Sequence, residues 1–375
     1  MYPFYLGIDL HLNRTFMVLM DAKGEVVDKQ RISNQEISAY LQEKIPQETH
    51  AVLEATRNWP FMYDLLSEHV QQVDLVHAKA VRTIANAAVK TDQIDASTLA
   101  HLARLNYIPK AYAAPKETRD LRQLLRHREW MVAQRSKAKN RIHAVLAGYN
   151  LVSPVTDLFG VAGREYLNGV MEKQLRPAAR QVVEDHLALI DHLTERIHML
   201  EKGIVLNEQQ AHIVNLLKSM PGVGKLIAMI LLAEIGDIER FHSPKALCSW
   251  AGLTPKVHNS DAVIHHGHIT KEGSRHLRTT MVQAATVTCR VSRRWYVTHS
   301  HLALRCGRRA ARVAIARRLL TVIYHMWKKN QPYQEHNGQD QPEALRARRR
   351  CWWNETDRVM RPRGGPDLMV CLVIT

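Results

Sequence analysis

Four carboxylates in the first hundred residues have the types and order that metal-assisted phosphoryl transfer requires. Asp9 sits in GIDLH, Glu54 near the end of AVLEAT, and Asp92 and Asp95 stand three apart in KTDQIDA. Residues three apart on a helix share a face, so a helix here would point both aspartates the same way. Carboxylates gathered without cations repel one another, and divalent cations are their natural neutraliser. Two Mg2+ ions roughly 4 Å apart would clamp the attacking and leaving oxygens of an in-line transfer at phosphorus. Each acid alone has a plainer reading: Asp9 could cap a hairpin, and an acidic pair three apart is more often an exposed helical face. Glu54 is harder to dismiss, because it interrupts an apolar strand. Together, in that order, the four favour an active site.

Two further groups lie in the second half. Pro221-Gly222-Val223-Gly224-Lys225 leads into an apolar helix-forming run. It is not a G-x-x-x-x-G-K-[ST] loop, since Ser219 stands where the first glycine is needed and Leu226 follows the lysine. It reads as the turn of a helix-hairpin-helix. Gly222 and Gly224 would let the backbone approach a phosphate, which Lys225 and the first-turn amides would bind. The plainer reading is a tight turn between helices. Further on, within GLTPKVHNSDAVIHHGHITKEGSRHLR (252–278), Ser260 sits in a polar loop. His265, His266 and His268 cluster near it, and Lys271, Arg275 and Arg278 step along one helical face. A serine hydroxyl among cations could attack a phosphodiester while the cations stabilise the developing charge. Spacing alone does not single out Ser260, since a loop serine is usually a hydrogen-bonding turn residue. Adjacent His265 and His266 make poor joint metal ligands.

The elements that must position these residues follow from periodicity. Strands are expected over 5–11, 15–20 and 25–32, then a helix around 35–44, a strand over 49–56, a helix from Trp59-Pro60, a strand over 73–77 and a helical stretch from about Lys79 to Leu105. The order βββαβαβα is that of an RNase H-like fold, with the first and fourth strands adjacent and the last helix across them. Pro109 and Pro115 mark a boundary. Leu121, Leu124, Arg128, Met131, Arg135, Ala138, Ile142 and Val145 then recur by fours and threes, as do Val183, Leu187, Ile190, Ile197, Leu200 and Ile204. Such spacing suits paired helices, whether a dimerising coiled coil or a hairpin within one chain. Residues 149–170, with Gly and Pro, are expected to be loop. The expected organisation is α/β plus α: a RuvC-like domain at 1–110, a helical coiled-coil linker or dimerisation region at 111–205, an all-α domain with the helix-hairpin-helix at 206–330, and a poorly ordered tail at 331–375.

The chain has 375 residues and a formal charge of +16. Residues 1–110 carry 11 Lys/Arg against 13 Asp/Glu, residues 115–143 carry 9 against 3, and residues 271–330 carry 14 against 1. A solvated surface explains balanced charge but not the last ratio, and nucleic acid is the partner that clustered cations favour. No run of eighteen apolar residues occurs and the start lacks a basic-then-apolar leader, so neither a membrane span nor secretion is expected. The five cysteines are scattered, which suits a reducing cytoplasm and excludes a cysteine zinc cluster.

At these residues the chain resembles the transposases of the IS110/IS1111 group of bacterial insertion sequences. GIDLH, LEAT and KTDQIDA carry the match at the front; MPGVGKLIAMILLAEIGDIERFHSPKALCSWAGLTP and GHITKEGSRHLR carry it at the rear. The resemblance spans roughly residues 5–330. It implies that Asp9, Glu54, Asp92 and Asp95 are the DEDD set of a RuvC-like domain that binds Mg2+. It implies also that Ser260 is the nucleophile on DNA. Family members work as dimers that pair into larger synaptic assemblies, the acidic site of one subunit meeting the serine of another, and some are guided by a structured RNA encoded by the element. Asp261 follows Ser260 where the family usually has glycine, and the tail departs from the family pattern.

The expected function is therefore a DNA transposase-recombinase acting on element ends and target. A Mg2+-dependent structure-specific nuclease of the junction-resolvase kind would share the acidic set, although the long serine-containing domain argues against it. A nucleic-acid-binding assembly protein without catalysis ranks third. An actin-like ATPase ranks last, since residues 1–110 lack its later glycine-rich phosphate loops.

Overall fold

The computed structural model describes residues 2–84, 91–260 and 263–335, with the backbone alone for residues 82, 257–260 and 263–266. The chain divides into two compact units, Met1–Asp120 and Leu121–Thr375.

The first unit runs β1 (Phe4–Leu10), β2 (Arg14–Asp21), β3 (Val26–Ser33), α1 (Ile37–Lys44), β4 (Thr49–Glu54), α2 (Trp59–Ser67), β5 (Gln72–Val76), α3 (Ala78–Ile84), α4 (Asp92–Arg104) and β6 (Lys110–Ala111). The sheet order is β3-β2-β1-β4-β5-β6. β1, β2 and β3 form an antiparallel meander, β1, β4 and β5 are parallel, and β6 closes the edge antiparallel to β5. The expected order and the β1–β4 adjacency both appear. The stretch expected as one helix from Lys79 to Leu105 contains α3 and α4, and residues 85–90 lie outside the described part.

Side chains alternate faces along a strand, and the core follows that rule. Leu6, Ile8 and Leu10 of β1 and Ala51 and Leu53 of β4 pack with Ile37, Leu41, Met62 and Leu66 of α1 and α2. Tyr5 and Val52 face the other way, against Leu99, Leu102 and Ala103 of α4, while Val18 and Met20 of β2 meet Ala96 and Ala100. Both faces of the central strands are covered, hence their near-continuous apolar runs. Gly7 makes the contact with α4 close. A Cβ there would stand 1.9 Å from the Ala96 carbonyl oxygen and 2.6 Å from the Ala100 nitrogen.

In the second unit, α5 (Lys116–Gly148) continues from the first, followed by α6 (Val161–Lys173), α7 (Pro177–Gly203), α8 (Glu208–Lys218), α9 (Lys225–Ile235), α10 (Pro244–Trp250), β7 (Pro255–Ser260), β8 (Val263–Ile269), α11 (Arg275–Val291), α12 (Arg293–Cys306) and α13 (Arg308–Lys329). α5 and α7 pair within the chain. Ala138, Ile142 and Leu146 pack with Val183, Leu187 and Ile190, and Met131 packs with Leu193 and Ile197. The inward arginines are matched: Arg128 Nε donates to Glu201 at 2.6 Å, and Arg135 Nη1 to the Thr194 hydroxyl at 3.2 Å.

Two expectations need correcting. Residues 149–170 are not all loop, because α6 occupies their end and buries Leu167, Val170 and Met171 against the α5–α7 pair. Gly163 and Gly169 disguise it. A Cβ at Gly163 would stand 2.3 Å from the Leu158 carbonyl, so packing demands glycine inside this helix. The region 206–330 is not all-α, since β7 and β8 form an antiparallel hairpin from Pro255↔Ile269 to Ser260↔Val263. Ser260 therefore ends a strand rather than lying in an open loop. The largest core joins Leu121 and Leu125 of α5 to α8–α11 and α13. No helix among the described residues is long and apolar enough to cross a membrane.

Candidate active site and nucleic-acid interface

Strand alternation places Asp9, two residues after Gly7, on the face that α4 covers. Glu54 ends β4 on that same face, one step beyond the paired Ile8 and Leu53. α4 begins beside them. Thr91 is its N-cap, accepting from the Ile94 N–H at 3.2 Å, which puts Asp92 and Asp95 in its first turn.

The structure brings Asp9 and Asp92 together around a residue that spacing did not single out, His11. Its Nε2 lies 3.1 Å from Asp9 Oδ2 and 3.3 Å from Asp92 Oδ1, and Arg31 Nη2 is 3.6 Å from Asp92 Oδ2. The turn carrying His11 is held from two distant segments. Asn34 Nδ2 donates to the carbonyls of His11 and Leu12, and Asn58 Nδ2 donates to the His11 carbonyl at 2.9 Å. Its one sequence signal was the alternation that puts residues 9 and 11 on one side.

Burial raises the Asp9 carboxyl above its ordinary range. His11 pulls it partly back, and the charges of Asp92 and Asp95 raise it further. Asp95 is thus within electrostatic reach of Asp9. Ligand atoms of Asp9, His11 and Asp92 lie within 4.8 Å of one another, a spacing that a single cation can bridge; Asp95 and Glu54 are not part of that group. A half-buried carboxylate destabilised by its acidic neighbours fits a divalent cation, which would relieve the repulsion.

In the second unit, the turn between α8 and α9 holds Gly222 and Gly224. Gly222 has φ +83°, and a Cβ there would stand 2.4 Å from the Thr288 hydroxyl oxygen, so this glycine seats the turn against α11. Gly224 is the N-cap of α9 and has open space around its Cβ position, while Lys225 is exposed beside it. Arg275 opens α11 and is exposed. Lys271 lies before α11 in left-handed backbone (φ 57°), so it does not share the helical face expected for it. Arg278 Nη1 donates to the carbonyls of Ala251, Glu272 and Gly273 and secures the chain entering α11. The side chains of Ser260, His265 and His266, and all of Asp261, lie outside the described residues.

Sequence reasoning also missed what fixes α11. Glu234 of α9, 3% exposed, receives Arg126 Nε and Nη2 at 2.8 and 2.9 Å and the Ser274 hydroxyl at 2.7 Å. Burial raises its carboxyl, but these hydrogen bonds and the Arg126 and Arg122 charges outweigh that and lower it. Ser274 also caps α11, so one buried carboxylate joins α5, α9 and the start of α11.

Comparison with known proteins gives two family matches. A model for DEDD transposases of IS110, described as Transposase, matches residues 6–151, and one described as Transposase IS116/IS110/IS902 family matches residues 214–301. The chain is 24% identical over 283 residues to the transposase for insertion sequence element IS1328 of Yersinia enterocolitica, covering 75% of this chain and 83% of that one. It is 26% identical over 294 residues to the pilin gene-inverting protein of Moraxella bovis, covering 76% and 81%. It is 24% identical over 291 residues to the transposase for IS1111A of Coxiella burnetii, covering 76% and 78%. The DEDD match implies use of a divalent metal, in keeping with the Asp9–His11–Asp92 group.

Proposed function

This chain belongs to the IS110 family of insertion-sequence transposases, and from that membership we propose that it cuts and rejoins DNA by Mg2+-dependent phosphoryl transfer with Ser260 as nucleophile. The observation that carries the reading is the convergence of Asp9 and Asp92, with Asp95 close enough to raise the Asp9 carboxyl.

Asp9, Glu54, Asp92 and Asp95 hold the metal in this reading, with His11 beside them. Bound there, Mg2+ neutralises the acids and polarises a phosphate oxygen. Asn34 and Asn58 fix the backbone of His11, so its ring stays beside the two aspartates. The Ser260 hydroxyl forms an O–P bond as the strand's own P–O bond breaks, and the departing strand oxygen takes up a proton. The phosphoserine ester keeps the bond's free energy, so a strand hydroxyl can reverse the step and rejoin DNA.

α8, its glycine turn and α9 act as a helix-hairpin-helix whose free amides, with Gly224 and Lys225, take a backbone phosphate. Gly222 shapes that turn. Lys271 and Arg275 reach phosphates, and Arg278 holds the segment that presents them. The partners are element ends, target DNA and an element-encoded guide RNA. The 14-to-1 excess of basic residues over 271–330 supports such strands. The working form is a homodimer that pairs into a tetramer at synapsis.

The test incubates the full chain with flanking element DNA, the RNA that the element encodes and Mg2+, then resolves products on a denaturing gel. Wild type forms a covalent protein–DNA adduct and joined product. Ser260→Ala and Asp9→Ala each lose both while still binding DNA. Undiminished strand exchange in Ser260→Ala would sink the serine chemistry, and wild-type nicking of branched DNA with no adduct would favour a resolvase-like nuclease.

A further inference from the structure

Just past β1 a histidine stands between two carboxylates. His11 Nε2 lies 3.1 Å from Asp9 Oδ2 and 3.3 Å from Asp92 Oδ1, while Arg31 approaches the other oxygen of Asp92. Two donors at right angles on one ion, each about 2.1 Å from it, lie about 3 Å apart. The ring nitrogen therefore stands from each acid at close to the separation that neighbouring ligands of a single octahedral ion keep. Another histidine of this unit is placed differently. His50 Nε2 of β4 lies 2.8 Å from Asp74 Oδ2 of β5, but Lys110 Nζ of β6 is 2.8 Å from the same oxygen. His50 thus meets one carboxylate that already carries a lysine, whereas His11 meets two.

The main chain of His11 is fixed without using the ring. Its N–H donates to the Arg14 carbonyl at 3.1 Å, and its carbonyl accepts from Asn34 Nδ2 at 3.0 Å and Asn58 Nδ2 at 2.9 Å. A donor whose backbone is already ordered gives up little freedom when it takes an ion. The ring itself is half exposed, so an ion can reach it from solvent. Its chemistry also differs from that of the acids. Oxygen donors suit Mg2+ and Ca2+, whereas imidazole favours first-row transition ions. Mn2+ is the first-row ion that carboxylates suit as well. An imidazole added to a carboxylate set moves its preference from Mg2+ toward Mn2+.

We propose that His11 is a nitrogen ligand of the acidic site, joining Asp9 and Asp92 on one ion, and that it makes the site prefer Mn2+ to Mg2+. This rests on the reading of the acids as a divalent-ion site and adds a ligand outside the four carboxylates, with the ion that this ligand selects.

The probe is Mn2+ alone, added to the full chain without DNA and followed by electron paramagnetic resonance, with electron spin-echo modulation reporting any nitrogen on the ion. Wild type should show 14N modulation, which labelling with 15N-histidine exchanges for that of 15N. His11→Gln keeps the backbone contacts of the turn, so its far-ultraviolet circular dichroism should be unchanged while the modulation is lost. Losing an outer partner of a bound ion already costs about 10–100-fold in affinity. Mg2+ should accordingly displace Mn2+ from His11→Gln at a concentration about ten-fold lower, relative to wild type. Mn2+ held without nitrogen modulation, modulation that survives in His11→Gln, or an unchanged Mg2+ competition overturns the proposal and leaves the acids as an ion site. No Mn2+ binding, or binding indifferent to Asp9→Asn and Asp92→Asn, overturns the acidic site as well.

Discussion

Asp9 and Asp74 are both strand aspartates largely withdrawn from water, at opposite ends of the face that α4 covers, and their carboxyls move in opposite directions. Burial pushes each upward. At Asp9 the neighbouring charges of Asp92 and Asp95 push the same way and His11 offsets only part. At Asp74 the contacts from His50 and Lys110 reverse the effect and hold the carboxyl at about 2. Desolvation is common to both, so the sign of the neighbours decides. Asp74 already has Lys110 upon it, whereas Asp9, Asp92 and Asp95 gather more negative charge than Arg31 offsets, and a divalent cation would balance the remainder.

Removing charge at the two ends should therefore have different consequences. The largest effect is on activity: Asp92→Asn should lower strand transfer by about 100-fold or more while leaving the far-ultraviolet circular dichroism unchanged. Full activity in that variant would show that the Asp92 carboxylate holds no ion that strand transfer needs. At the other end the effect is on stability. Asp74→Ala leaves the buried His50 ring without its partner and releases the exposed Lys110, and should cost about 1–3 kcal/mol in urea unfolding. A neutral result would mean that the His50–Asp74–Lys110 network does not hold the edge strands.

The pH responses sharpen the contrast further. Asp74 has a depressed folded value, so its stabilisation is present above the ordinary aspartate value of 3.8 and is lost as pH falls from there to about 2. The loss is about 2 kcal/mol, read as a drop in unfolding free energy that Asp74→Asn lacks. Asp9 has a raised folded value. Its contribution is present below 3.8 and lost as pH rises through the folded value, so at neutral pH the ionised group is destabilising. Asp9→Asn should thus melt slightly higher than wild type at pH 7 in chelator, and lose that advantage below pH 3.8. Mg2+ should raise the wild-type melting temperature and leave Asp9→Asn unmoved. The reverse order of melting temperatures would show that His11 already satisfies the pair.

The shared face of Asp9 and Glu54 and the meeting of Asp9 with Asp92 were legible because strand and helix periods decide faces locally. Asp9 and Glu54 needed only the pairing of β1 with β4, and Asp92 and Asp95 only a helix that starts at Thr91. His11 was not legible, since its placement depends on Asn34 and Asn58 reaching the same turn from later segments. The second cluster draws His50, Asp74 and Lys110 from three strands, and register between strands is not written in any one of them. The heptad-like spacing of α5 and α7 announced a helix pair without naming the partner. α6 was hidden by two glycines, of which its packing requires Gly163, and the β7–β8 hairpin by the polar residues of its strands.

Gly7 lies beneath the middle of α4, touching Ala96 and Ala100, with the acids toward one end of that helix and Arg104 at the other. The helix rests on bare main chain, like a beam on a fulcrum. A methyl group there would act as a shim and tilt both ends together, so the gap between Asp9 and Asp92 and the seat of Arg104 against Gly24 are gauged by the same missing carbon.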